Sequence, residues 1–206
     1  MSTAPASAGP ARLAVLLSGG GRTLANLLER IDADSLRASV GLVIASRECG
    51  GAEIARRRGI ATEVIPGPMG TSAFGERLDG AGIDLVVLAG YLQLAPIPPG
   101  YTNRIVNIHP ALLPSFGGPG MFGDRVHAAV LAAGCKVSGC TVHLCDERYD
   151  RGPILAQRAC PVHDDDTVES LGARVFEMER GVFPEAIGWL IDGRVRVEDG
   201  RAFIDR

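Results

Sequence analysis

Asparagine and histidine stand two residues apart in the stretch 105–114, IVNIHPALLP. Side chains at i and i+2 of a strand share a face. Asn107 and His109 therefore present together an amide donor and an imidazole that titrates near neutral pH. A lone histidine at a strand end is more often a satisfied turn residue. Two convergent polar groups closed by Pro110 favour a site.

A second group lies near the start of the chain, where an apolar run is followed by residues 18–23, SGGGRT. A strand, a glycine-rich turn and a helix make an anion site, because glycine admits close backbone approach and the helix start presents free N–H groups. Arg22 adds a charged donor. The turn is not a Walker A motif, having no Gly-Lys-Ser/Thr, and Leu24 stands where the dinucleotide fingerprint needs its third glycine. A tight strand–helix turn also favours glycine, but three glycines with an arginine favour phosphate.

Asp150 sits in the loop 145–153, CDERYDRGP. An acid there is ordinarily a solvated turn residue. It acquires a role if the fold brings it beside His109, where it would orient the imidazole and raise its pKa. His143 reads as a satisfied core histidine of a strand, His127 as a helix residue near a glycine-rich loop, and His163 as part of a polar turn. Cys140, His143 and Cys145 offer zinc donors but match no standard ligand spacing, so no metal is expected. No cysteine occupies the glycine-rich elbow of a nucleophile.

These groups need elements to hold them. Residues 13–17 (LAVLL), 40–45, 60–65 and 83–89 are apolar runs that read as strands, buried ones where the run is unbroken. Helices are predicted at about 23–31, with Leu24, Leu27, Leu28 and Ile31 inward, at 52–58 and at 74–82. The loop 90–99, GYLQLAPIPP, suits the wall of a flat aromatic ligand. Beyond the strand 105–109, residues 115–123 (SFGGPGMFG) are expected to form a mobile loop, 124–133 a helix, and 137–144 and 154–160 an antiparallel pair. A long helix spans about 167–191, with Asp164, Asp165, Asp166 and Thr167 at its cap and Glu169 in its first turn. Pro184 is expected to kink it or divide it. Residues 195–198 and 201–204, joined by Asp199-Gly200, read as a hairpin. The pattern predicts one α/β domain, 13–206, after a disordered tail, 1–12. Its sheet is doubly wound, mostly parallel and Rossmann-like, with an antiparallel C-terminal part.

Bulk properties exclude several classes. The chain's 206 residues are 46% hydrophobic and 22% charged, enough for one sizeable core. A net charge of −3 and a pI of about 5.8 give no general attraction to nucleic acid or membrane. Cys49, Cys135, Cys140, Cys145 and Cys160 are scattered without a CxxC pair, as in a reducing cytoplasm. No run approaches the roughly 18 apolar residues of a membrane span. Residues 1–10 lack the basic start and apolar middle of a signal peptide, so a cytoplasmic protein is expected.

Taken together, SGGGRT, AGYL at 89–92, NIHPALLP and YDRGPI at 149–154 resemble the folate-dependent glycinamide ribonucleotide formyltransferases, from Leu13 to the C-terminus. The resemblance implies formyl transfer from 10-formyltetrahydrofolate to the amine of glycinamide ribonucleotide, with Asn107, His109 and Asp150 as the catalytic trio. It assigns the ribonucleotide phosphate to Gly20, Gly21, Arg22 and Thr23, and the ribose hydroxyls to Glu179. It assigns the pterin pocket to Tyr91, Leu92, Gln93 and Leu94 with the loop from Leu144 through Asp146 to Asp150. By the same resemblance the partners are small molecules, without metal or nucleic acid, and the chain is a monomer or homodimer. Three features depart from better-known members: GGGRT replaces GNGSN, Gln93 replaces an arginine, and the loop 115–123 is longer.

Other formyl-folate enzymes are the nearest rivals. A 10-formyltetrahydrofolate deformylase would carry an N-terminal regulatory domain, and a methionyl-tRNA formyltransferase a further C-terminal domain and a basic surface. A sugar-amine formyltransferase shares the core, and the phosphate turn argues against it. A non-catalytic nucleotide- or folate-binding module is a rival of another class, and the three retained catalytic residue types speak against it.

Overall fold

The computed structural model describes residues 9–205, and in it the apolar runs become one sheet. The strands β1 (Ala11–Leu17), β2 (Ala38–Ala45), β3 (Thr62–Val64), β4 (Leu85–Leu88) and β5 (Ile105–His109) are parallel. Antiparallel β6 (Val137–Leu144) and β7 (Ile154–Pro161) extend the sheet in the order β3-β2-β1-β4-β5-β6-β7. The helices are α1 (Arg22–Asp32), α2 (Gly50–Arg57), α3 (Thr71–Gly80), α4 (Asp124–Ala132) and α5 (Val168–Ile191). A separate hairpin pairs β8 (Val195–Glu198) with β9 (Arg201–Ile204).

Burial of the sheet on both faces explains its apolar strands. Along β1, Leu13, Val15 and Leu17 belong to the core shared with α1, α2, α4 and α5. Ala14 and Leu16 belong to a second core with Phe74 and Leu78 of α3. Each valine or leucine buried in this way contributes ~1.5–3 kcal/mol of apolar transfer. Strand order reverses between β1 and β4, and at such a switch point the loops after two neighbouring strands part to leave a crevice. The turn after β1 and the loop after β4 both border it.

Differences from the predicted elements fall at their ends. β1 starts at Ala11, whose N–H donates to the Arg37 carbonyl (3.2 Å), so Ala11 and Arg12 belong to the sheet rather than to a tail. Residues 1–8 of the expected tail lie outside the described residues. α2 begins at Gly50 because its glycines pack on the turn after β1, where Gly51 N–H donates to the Gly19 carbonyl (3.0 Å). α3 begins three residues before Phe74, in a polar first turn that no apolar periodicity marks.

Pro184 neither ends nor divides α5, which runs unbroken over 24 residues. A proline leaves the carbonyl four residues earlier without its helical partner. That carbonyl belongs to Arg180, and it accepts instead from Asn26 Nδ2 of α1 (3.1 Å). The helix starts as predicted at Thr167, whose side chain accepts from Ser170 N–H while Ser170 Oγ accepts from Thr167 N–H.

Candidate active site

The register of β5 on β6 sets Asn107 directly opposite His143 and His109 opposite Thr141. Facing residues of an antiparallel pair lie close enough for their side chains to bond. Asn107 Nδ2 donates to His143 Nε2 (3.1 Å), and His143 Nδ1 donates to the Leu144 carbonyl (2.9 Å). A carbonyl only accepts, so this network places the His143 proton on Nδ1 and leaves Nε2 to hold the Asn107 amide. His143 is 2% exposed and lines the cleft. It is the satisfied, buried histidine expected, and it also borders the cleft. Its pairing with Asn107, 36 residues earlier, has no local signal in the sequence.

His109 is 3% exposed, and its Nε2 donates to the Phe116 carbonyl (2.8 Å). The other nitrogen, Nδ1, faces Asp150 Oδ2 at 3.6 Å, within ion-pair reach but beyond a hydrogen bond. Asp150 Oδ1 lies 3.5 Å from His143 Nε2, so the carboxylate stands against both imidazoles. The expected approach of Asp150 to His109 is thus present. Its expected upward pull on the imidazole is present too, but it is outweighed. Burial pushes the His109 pKa below the ordinary value, and Asp150, which pulls it up, does not outweigh burial and the neighbouring His143. Burial thus biases the imidazole towards its neutral form.

Asp150 adopts a left-handed backbone, φ 55°. Burial pushes its carboxyl up, but the imidazoles of His143 and His109, when they carry a proton towards it, and the Gly118 N–H (2.8 Å) hold it below the usual carboxylate value. Gly152 completes this turn, since a Cβ there would overlap the Leu144 carbonyl. Through Phe116 and Gly118, the loop expected to be mobile is tied at two points to site residues.

At the other end of the cleft, Gly21 caps α1 at φ 82°, with Gly51 Cα only 2.5 Å from where a Cβ would stand. Left-handed backbone and close approach both demand glycine. Gly20, Gly21, Arg22 and Thr23 line the cleft. Arg22 lies 4.3 Å over the Phe176 ring of α5, and Arg47, after β2, donates from Nε to the Ser18 carbonyl (2.7 Å). Sequence reasoning did not single out Arg47 or Phe176. Glu179, one turn beyond Phe176, also lines the cleft. Burial raises its carboxyl to about 7 against the downward pull of Arg22.

Between these ends the loop after β4 forms a wall. Tyr91 is buried, Leu92 and Leu94 are exposed to the cleft, and the Gln93 amide and Tyr91 hydroxyl share a hydrogen bond (3.2 Å). Asp146 and Tyr149 line the same space, which has a volume of about 380 Å³. Leu144 does not line it. Its side chain is fully buried in the core, and it serves the site only by the carbonyl that holds His143. Cys140 is likewise core, and among the described residues no three His, Cys, Asp or Glu side chains are grouped to hold a metal.

The family model for formyl transferases matches residues 11–187. A chloroplastic phosphoribosylglycinamide formyltransferase of Arabidopsis thaliana is 41% identical over 200 residues, covering 92% of this chain and 68% of its own. The phosphoribosylglycinamide formyltransferase of Haemophilus influenzae is 31% identical, with 94% of this chain and 93% of its own covered. Among solved structures, glycinamide ribonucleotide transformylase 1 from Symbiobacterium toebii superposes with a TM-score of 0.88 at 37% identity, covering 97% of this chain and 96% of its own. A match of that extent, over the sheet, the turn after β1 and the strand end at β5 alike, decides membership: the chain belongs to the formyl transferase family.

Proposed function

We propose that the protein transfers the formyl group of 10-formyltetrahydrofolate to the primary amine of glycinamide ribonucleotide, in de novo purine biosynthesis. The observation that carries this reading is the convergence of Asn107, His109 and Asp150 in one cleft, between a phosphate-type turn and an apolar wall. The wall of Tyr91, Leu92 and Leu94 suits a pterin, and the turn 20–23 with Glu179 suits a ribose phosphate.

In this mechanism the amine attacks the formyl carbon, and the carbonyl oxygen becomes an oxyanion. The Asn107 amide, fixed by His143, donates to it without reorganising. Neutral His109 takes the proton that the amine nitrogen loses, and Asp150 beside Nδ1 stabilises the imidazolium so formed. The tetrahedral carbon then collapses, its bond to the folate nitrogen breaks, and that nitrogen receives the proton. Tetrahydrofolate and N-formylglycinamide ribonucleotide leave, with no net proton consumed. The expected setting is cytoplasmic, as a monomer or homodimer.

Purified protein mixed with 10-formyltetrahydrofolate should release tetrahydrofolate only when glycinamide ribonucleotide is added. Equal release without the acceptor would identify a deformylase and overturn the proposal. Release only with an amino sugar would do the same in favour of a sugar-amine formyltransferase.

A further inference from the structure

Phosphate recognition at a glycine-rich turn ordinarily rests on backbone N–H groups and the helix dipole. This chain adds an unusual element. The Arg22 side chain makes no hydrogen bond or ion pair among the described residues, and its guanidinium carbon lies 4.3 Å from the centroid of the Phe176 ring. Phe176 is half-buried on α5, three residues before Glu179, so ring and carboxylate share one helix face. Across the turn, Arg47 spends its Nε on the Ser18 carbonyl, leaving its terminal nitrogens without a protein partner among the described residues. Two guanidinium groups thus border the same end of the cleft.

We infer that Phe176 is a positioning residue: its ring holds the Arg22 guanidinium ready to grasp the phosphate dianion of the ribonucleotide, opposite Arg47. This rests on the ribonucleotide reading of the cleft. An unsupported arginine must surrender many rotamers to clamp a ligand, whereas stacking on a ring orders the plane beforehand. Stacking also leaves the in-plane N–H edges open, the geometry that meets phosphate oxygens in pairs. The chain then discriminates phosphorylated from unphosphorylated acceptors by side-chain charge as well as by the backbone of the turn.

A double-mutant cycle of Arg22→Gln and Phe176→Leu, with Phe176→Tyr as the conservative variant, tests the coupling. The readouts are kcat and KM for glycinamide ribonucleotide, and the dissociation constant of ribose 5-phosphate by calorimetry, with ribose as the uncharged control. Phe176→Leu should raise KM and the ribose 5-phosphate constant roughly two- to fivefold, the range of an exposed cation–ring contact. kcat should stay within about twofold, and Phe176→Tyr should behave as wild type, since a phenol ring keeps the π face. In the Arg22→Gln background the Phe176→Leu change should cost nothing further. An equal cost in both backgrounds, a loss carried by kcat, or failure of tyrosine to substitute would overturn the inference. So would wild-type protein that binds ribose 5-phosphate no better than ribose. If the cycle behaves as expected with ribose 5-phosphate while no formyl group reaches the ribonucleotide, the proposed reaction fails and the clamp stands.

Discussion

At the scale of single residues, the central feature is a buried imidazole beside a carboxylate. Burial biases His109 towards its neutral form, and Asp150 stands ready to stabilise the charge once a proton arrives. His109→Ala removes the proton acceptor and should lower kcat by ~10²–10⁴-fold, the usual reach of a positioned acid–base group. Asp150→Asn keeps the shape and removes the charge, so it should also act on kcat, with both variants folded by circular dichroism. Near-normal turnover of either would contradict the assigned roles. Glu179 makes a separate, pH-dependent prediction. Its carboxyl is raised to about 7, so it is ionised above that pH and neutral below. In the proposed role of accepting hydrogen bonds from the ribose hydroxyls, it should make KM for the ribonucleotide rise as pH falls through about 7. Glu179→Gln should raise KM at high pH and flatten that profile. The His109 limb should appear instead in kcat, at a pH below the ordinary histidine value, because burial lowers its pKa.

At the scale of elements, the site is a product of strand pairing. The stretch IVNIH was legible as a strand end with two polar groups on one face, because that rule acts between residues i and i+2. The contact of Asn107 with His143 was not legible, because it depends on β6 lying antiparallel to β5 in one register. Leu144 shows the same limit: alternation along β6 turns its side chain into the core while its neighbour His143 faces the cleft. That α5 stays undivided at Pro184 was not legible for a related reason, since the partner that rescues the Arg180 carbonyl comes from α1. His143→Phe should show how much the strand pairing matters. It removes the acceptor of a half-buried amide proton, a hydrogen bond worth about 1 kcal/mol of stability. It should also lower kcat, with KM for either substrate changed much less. A variant with lowered stability but full turnover would show that Asn107 needs no partner.

At the scale of the whole molecule, the winding of the sheet makes the cleft. Because strand order turns back between β1 and β4, the glycine turn, the apolar wall and the β5 end meet at one edge. Alternating apolar runs and helical patterns made this architecture readable, and the glycine turn marked one end of the cleft. Arg47 and Phe176 escaped notice because their contribution is spatial: each reaches the turn after β1 from another element. On the proposed reading, both substrates bind in this one cleft at once and the formyl group passes directly, without release to water. Supplying 10-formyltetrahydrofolate with an isotopically labelled formyl carbon, together with unlabelled glycinamide ribonucleotide, follows that passage most directly by NMR. The account predicts that the label appears on the glycinamide nitrogen, in step with tetrahydrofolate. Label appearing in free formate, with the ribonucleotide unchanged, would contradict it.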